Sequence, residues 1–169
     1  MTEPEPALRI APATPEDVAA ILAMIEALAE YEQLRPLCVA TEADLRAALF
    51  GSRPAAEVVV GWEDQTAVGF ALFFHNFSTF LGRKGLYLED LFVRPPYRRR
   101  GYGRALLMHL ARIAVERGCG RFEWAVLDWN APAIAFYESL GAALLPDWRI
   151  VRVTGPALSG LANAPPEGS

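Results

Sequence analysis

The feature that most constrains this chain is an apolar run that leads through two prolines into a basic glycine loop. The run is Leu86–Val93, the prolines are Pro95 and Pro96, and the loop is Tyr97–Gly103. A helix should follow, because apolar residues then recur at helical spacing: Leu106, Leu107, Leu110, Ile113 and Ala114. A strand, a glycine loop and a helix in this order turn backbone N–H groups and a helix N-terminus toward an anion. The sequence therefore predicts a phosphate or pyrophosphate site.

Two common phosphate motifs do not fit this loop. The chain contains no G-x-x-x-x-G-K-[ST] pattern, and Leu106 stands where a Rossmann fingerprint has its third glycine. What remains is Arg98, two residues, Gly101, one residue and Gly103. A run of three arginines would also suit nucleic acid, but the formal net charge of −4 disfavours a polyanion as the main partner and favours a cationic substrate.

The loop pattern resembles the acetyl-CoA pyrophosphate loop of the GNAT superfamily of N-acetyltransferases, which reads Arg or Gln, two residues, Gly, one residue, Gly or Ala. Neighbouring runs resemble the diamine (spermidine/spermine-type) and thialysine N-acetyltransferases within that superfamily. These runs are Tyr87–Asp90, Asp128–Asn130 and Phe136-Tyr137. The resemblance extends from about residue 8 to about residue 153, and it implies acetyl-CoA as the cofactor.

Length and pattern predict one α/β domain. A chain of 169 residues that is 53% hydrophobic can bury a single core. We expect a domain over 8–155, between a disordered tail over 1–7 and a loose tail over 156–169. The element order β-α-α-β-β-β-α-β-α-β predicts a mixed sheet with helices on both faces. The resemblance implies the GNAT fold, in which the parallel central strands Leu86–Val93 and Arg121–Leu127 splay apart to admit acetyl-CoA.

Local signals place the other elements. Thr14 and Thr41 each precede acidic residues, as helix N-caps do, and the first helix should end near Tyr31. Strands are predicted over Leu8–Ile10, Glu57–Trp62, Thr66–His75 and Trp148–Val153. Asn130 should cap a short helix over Ala131–Leu140.

The resemblance assigns twelve residues to the cofactor. A backbone N–H of the splayed strand, that of Leu91, would hold the thioester oxygen, and Asn130 would bind the pantetheine arm, cap its helix, or do both. The loop glycines let the backbone approach phosphate closely. The cofactor residues are Leu91, Phe92, Val93, Arg98, Arg99, Arg100, Gly101, Tyr102, Gly103, Arg104, Asn130 and Ala133.

Two residues are catalytic candidates. Tyr137 matches the family's catalytic tyrosine, and a phenol with a pKa near ~10 suits protonation of the leaving CoA thiolate; the alternative is a core tyrosine. Glu89 matches the family's candidate base and substrate ligand, since a carboxylate can bind an ammonium and take its proton through water. Its neighbour Asp90 would point to the opposite face and make a structural contact.

The substrate should be a small primary amine. Tyr31, Glu32 and Trp148 match positions that line the family's amine site, where Glu32 would hold a distal ammonium and the tryptophan face an alkylammonium. The segment between Gly141 and Trp148 is shorter than in the polyamine enzymes and lacks their acidic insert. Ser78–Phe80 also lacks an acidic residue of the spermidine type. A lysine-like thioether amino acid or a small diamine therefore fits better than a long polyamine.

Alternative functions remain: acetylation of a protein N-terminus or lysine, or a CoA-binding regulatory module without turnover. Cys38 and Cys119 lack metal-ligand spacing, so we expect no metal site. Two lone cysteines, no leader sequence and no long apolar run predict a cytoplasmic protein that binds neither membrane nor nucleic acid. The resemblance implies a homodimer, the commonest symmetric assembly.

Overall fold

The structure, a computed structural model, describes residues 7–165. Nearly all of the predicted N-terminal tail and the last four residues of the C-terminal tail lie outside this range. The chain forms two compact units, of which the first ends at Ala125 and the second begins at Val126.

The first unit is a five-stranded mixed sheet with three α-helices. The strands are β1 (Arg9–Pro12), β2 (Glu57–Glu63), β3 (Thr66–Ser78), β4 (Arg83–Val93) and β5 (Phe122–Trp124). They lie in chain order; the β4–β5 pair is parallel and the other pairs are antiparallel. The helices are α1 (Val18–Tyr31), α2 (Glu42–Phe50) and α3 (Tyr102–Glu116). The α/β prediction with a mixed sheet is confirmed.

The first two helical segments begin at the predicted caps. Thr41 and Asp44 form a reciprocal capping box, in which the Thr41 hydroxyl accepts from the Asp44 backbone at 3.2 Å and the Asp44 carboxylate accepts from the Thr41 backbone at 2.9 Å. At Thr14 the backbone N–H donates to Asp17 at 2.8 Å, but a short 3-10 turn over Pro15–Asp17 comes before α1. These caps satisfy N–H groups that a helix start leaves unpaired.

Helices pack on both faces of the sheet. On one face, side chains of β2, β3 and β4 share a buried cluster with α1 and α2: Val58, Val60, Phe70, Phe92, Ile21, Met24 and Leu49. On the other face, α3 lies close to the strands, because a Cβ at Gly69 would stand 3.4 Å from Leu106. A Cβ there would also stand 2.7 Å from the carbonyl oxygen of Phe92, so the site requires glycine.

A β-bulge interrupts β4 at Glu89. Phe73 pairs with Leu88, and the next residue of β3, Leu72, pairs with Asp90, so Glu89 is the extra residue. The bulge reverses the alternation of side chains along β4. Leu72 packs against the cluster beneath α1 and α2, and its partner Asp90 therefore faces α1, opposite to Leu88.

The second unit contains the helices α4 (Ala131–Ser139) and α5 (Gly155–Ala162). The predicted strand Trp148–Val153 is wrong: the segment carries no regular structure and its residues are exposed. Its branched and aromatic residues favour a strand, but a strand forms only where a neighbour satisfies its backbone. The helix α5, which composition did not predict, has Pro156 in its first turn, a position that tolerates proline.

No helix among residues 7–165 is long and apolar enough to cross a membrane.

Candidate active site

The basic glycine loop has the backbone of an anion-binding loop. Gly101 is the N-cap of α3 and has φ +79°, in the left-handed region where glycine is unstrained. Nothing lies within 4 Å of the position that a Cβ of Gly101 would take, and α3 carries no acidic residue in its first turn. The helix start therefore presents its N–H groups and its positive dipole end toward an approaching anion.

The four arginines around the loop have different environments. Arg98 donates from Nε to the carbonyl oxygen of Val93 at 2.9 Å, and its guanidinium lies 5.2 Å from the ring centroid of Tyr31. Arg100 forms an ion pair with a carboxylate, described below. Arg99 and Arg104 are exposed, and among residues 7–165 their side chains form no hydrogen bond or ion pair. The last two can thus turn to a phosphate without losing a contact.

Backbone N–H groups of β4 face an edge that β5 does not cover. The register between the two strands ends at Leu88. Arg94 donates its N–H to Val68 of β3 at 2.8 Å. Because successive N–H groups alternate in direction, those of Leu91 and Val93 point away from β3. The strand predicted over Arg121–Leu127 is shorter than expected, because β5 ends at Trp124. Within the first unit, this leaves the N–H groups of Leu91 and Val93 on an edge that β5 does not cover.

A pocket of about 220 Å³ lies between α1, the turn after it and β4. Its walls are mostly apolar, and two carboxylates, Glu32 and Asp90, line it as well. The apolar lining residues are Ile25, Leu28, Ala29, Leu34 and Leu37, with Cys38 beside them. Pockets for drug-sized ligands span roughly 300–1,000 Å³, so this pocket suits a smaller molecule with an apolar stem and a cationic head.

Burial perturbs both pocket carboxylates, and nearby negative charge adds to the effect at Asp90. Burial, followed by the nearby charges of Glu89 and Glu32, raises the pKa of Asp90 to about 6. Burial also raises the pKa of Glu32. Burial first and Glu89 second raise the pKa of Tyr87. Glu89 and Glu32 thus both repel the charged form of Asp90, and a cation bound near Asp90 would relieve that repulsion.

The outer wall of the pocket is tied to α1. Gln33 follows the helix with φ +61°, and a short 3-10 turn over Arg35–Leu37 comes next. The Arg35 guanidinium bonds Glu26 of α1 at 2.6 Å and the carbonyl oxygen of Cys38 at 3.1 Å. These contacts hold the chain that carries the apolar wall against the helix.

Four predicted site residues lie in the second unit. The Asn130 side chain accepts from the Ala133 backbone at 3.4 Å and caps α4, as predicted. Tyr137 lies in the last turns of α4, partly buried, with its ring centroid 5.5 Å from that of Phe136. Trp148 is 80% exposed and lies outside any strand.

Of the predicted amine-site carboxylates, one lines the pocket, and a carboxylate that was not predicted lines it as well. Glu32 lines the pocket, whereas the exposed Glu89 acts on it through charge. Asp90, expected to make a structural contact, is the carboxylate that enters the pocket. Simple alternation placed Glu89 and Asp90 on opposite faces. The bulge that sets their orientation could not be predicted from the sequence. The only sequence signal for this site was a polar pair inside an apolar strand.

Comparisons with known proteins agree on one family. Residues 22–142 match the acetyltransferase (GNAT) family. The chain is 37% identical over 198 residues to an L-ornithine N5-acetyltransferase from Arabidopsis thaliana, covering 90% of this chain and 87% of that protein. It is also 37% identical over 158 residues to a thialysine N-epsilon-acetyltransferase from Sus scrofa, covering 87% of this chain and 92% of that protein.

A solved structure shows the same fold. An integron cassette protein from the mobile metagenome of V. cholerae superposes with a TM-score of 0.78 at 28% sequence identity. The match covers 93% of this chain and 98% of that chain.

The partly buried carboxyl of Asp90 should change how stability depends on pH. Because its pKa is raised to about 6 in the folded state, the folded protein binds this proton more tightly than the unfolded chain. Its contribution to the free energy of unfolding is therefore complete below pH ~4 and is lost as pH rises through ~6. Asp90→Asn avoids that loss, so relative to wild type it should gain about 2–3 kcal/mol between pH 4 and pH 7. Urea unfolding at several pH values measures this.

The matched control is Asp64→Asn. Asp64 is an exposed residue of the β2–β3 turn with φ +53°, and asparagine tolerates this conformation. It should not change the pH dependence. A constant stability difference between Asp90→Asn and wild type across this pH range would contradict the raised pKa of Asp90.

Proposed function

The chain belongs to the GNAT acetyltransferase family, and on that basis we propose that it transfers the acetyl group of acetyl-CoA to a primary amine of a short cationic substrate. The substrate class is a lysine-like amino acid or a small diamine. The observation that carries this proposal is the pocket at the end of α1, where Glu32 and Asp90 stand in apolar walls. The acetyl group would pass directly to the amine in a ternary complex.

The residues present fit acetyl-CoA. The cofactor supplies an activated acetyl thioester, and its pyrophosphate needs N–H donors and positive charge. The start of α3 supplies N–H groups, Gly101 leaves room above the loop, and Arg99 and Arg104 add charge. The N–H of Leu91 faces the uncovered edge of β4, where a preorganised donor can polarise the thioester carbonyl.

The pocket carboxylates would bind the amine and remove its proton. A methylene stem packs on the apolar walls while the ammonium meets carboxylate oxygens, so neither part is buried without a partner. Asp90, with a pKa of about 6, lies close to the operating pH that suits a general base. Glu89 remains the base or ligand that the resemblance implies, and Glu32 is the ligand for a distal ammonium.

Tyr137 is the proposed general acid for the leaving thiolate. Tyr137→Phe removes only a hydroxyl and keeps the ring that lies against Phe136. General acid–base groups contribute about 10²–10⁴ in rate, so kcat should fall by that order while the KM for acetyl-CoA stays near wild type. Steady-state kinetics measures both. A wild-type kcat under conditions where chemistry limits the rate would assign Tyr137 to packing alone.

The relatives indicate which amine to test first. Two of them are named for L-ornithine and for thialysine, amino acids with a primary amine at the end of a short side chain. A compact pocket with two carboxylates suits such a molecule better than it suits a long polyamine. The homodimer, the cytoplasmic location and the role of Trp148 stay predictions of the sequence.

A panel of amines with acetyl-CoA tests the proposed function. We expect the highest kcat/KM for ornithine, thialysine and short diamines, and lower values for spermine and for peptides with a free N-terminus. Glu32→Gln should raise the KM for the amine by about tenfold, since it removes one charge-assisted contact. Glu116→Gln, an exposed residue at the end of α3, is the control and should not change it. Release of free CoA thiol measures turnover.

Turnover of peptides in preference to every small amine would contradict the proposed substrate class. Acetyl-CoA binding without turnover of any amine would favour a regulatory module.

A further inference from the structure

Glu63, the last residue of β2, reaches across to the basic glycine loop. Its carboxylate accepts hydrogen bonds from the hydroxyl of Tyr102 and from the guanidinium of Arg100, the latter at 3.1 Å and 3.2 Å. The Glu63 side chain is only 13% exposed. Arg100 and Tyr102 stand on either side of Gly101, so one carboxylate holds the chain before and after this glycine.

The contacts among these three side chains are mutual. A hydrogen bond to Tyr102, together with the Glu63 carboxylate, raises the pKa of Arg100. The hydrogen bond to Glu63 raises the pKa of Tyr102. The Arg100 guanidinium also lies 5.3 Å from the ring centroid of Tyr97. The Arg100 side chain therefore contacts other residues of the loop and the end of β2.

The loop needs such support because its backbone is strained. Arg99 has φ +64°, a conformation that non-glycine residues seldom adopt and that persists only when surrounding contacts enforce it. On one side of Arg99, Arg98 is fixed to the carbonyl oxygen of Val93 at 2.9 Å. On the other side, Arg100 is fixed to Glu63. Contacts on both flanking residues thus hold the strained Arg99 in place.

We propose that Glu63 is a positioning residue for the pyrophosphate loop. In this proposal the arginines have two roles. Arg98 and Arg100 stabilise the loop conformation, and Arg99 and Arg104 bind the phosphates. The inference rests on the proposed function, because it takes acetyl-CoA as the ligand of this loop. Glu63 itself would not touch the cofactor.

The proposal and simple electrostatics predict opposite changes in acetyl-CoA affinity when the charge of Glu63 is removed. A negative charge near a site for a polyanion should weaken binding, and its removal should therefore strengthen binding. If Glu63 acts by holding Arg100 and Tyr102, its removal should weaken binding instead, since the loop must then be ordered when the cofactor binds. The sign of one affinity change separates these two effects.

The test is calorimetric titration with acetyl-CoA. Glu63→Gln keeps the shape of the side chain and removes its charge. It should raise the Kd for acetyl-CoA about tenfold, the size expected for a lost hydrogen bond to a charged group. Asp64→Asn removes the same charge from the next residue, whose side chain is exposed, and should leave the Kd unchanged or slightly lower.

Kinetics and a double variant show how Glu63 acts. Glu63→Gln should raise the KM for acetyl-CoA and leave kcat and the KM for the amine near wild type, a split that general destabilisation would not produce. Arg100→Gln and Glu63→Gln disrupt one contact, so the double variant should bind acetyl-CoA about as weakly as the weaker single variant. If Glu63→Gln does not fold, Tyr102→Phe removes the hydroxyl donor alone and should also raise the Kd.

Equal or tighter binding of acetyl-CoA by a folded Glu63→Gln would overturn the proposal. Additive effects in the double variant would overturn it too, because Glu63 would then act independently of Arg100. If the wild-type protein does not bind acetyl-CoA, the proposed function fails as well. That outcome is distinguishable, because it appears before any variant is compared.

Discussion

The β-bulge at Glu89 is the constraint on which the rest of the site depends. One extra residue in β4 reverses the direction of every later side chain and N–H group on that strand. It turns Asp90 from the face of Leu88 toward α1, and it directs the N–H groups of Leu91 and Val93 to the edge that β5 leaves uncovered. The position of Asp90 in the pocket and the direction of two backbone donors thus follow from one register shift.

The two ends of the proposed reaction are linked through Arg98. Its guanidinium lies near the rings of Tyr31, at the end of α1, and Phe92, at centroid distances of 5.2 Å and 5.5 Å. The same residue lies in the basic glycine loop and donates a hydrogen bond to the carbonyl oxygen of Val93. Arg98 therefore contacts the loop, the uncovered edge of β4 and the helix that borders the pocket, so the order of the loop and the shape of the pocket should depend on each other.

Sequence patterns predicted what local rules determine. The caps at Thr14 and Thr41, the β2–β3 hairpin, the long strand before the loop and the helix after it follow from spacing, capping and glycine chemistry. Three features could not be read in this way. The bulge depends on how β3 and β4 pair, the raised pKa of Asp90 depends on burial, and the contact of Glu63 with Arg100 joins residues 37 positions apart. The strand expected over Trp148–Val153 failed because propensity cannot supply a partner strand.

The central claim is that Asp90 belongs to the amine site. The most direct measurement is an NMR titration of the side-chain carboxyl carbons with and without ornithine or another accepted diamine. The Asp90 carboxyl should titrate near pH 6 in the unliganded protein. Bound ammonium should lower this pKa by favouring the charged carboxylate. A carboxyl that titrates near ~4, the value of an exposed aspartate, or one that does not respond to a saturating amine, would contradict the placement of Asp90 in the amine site.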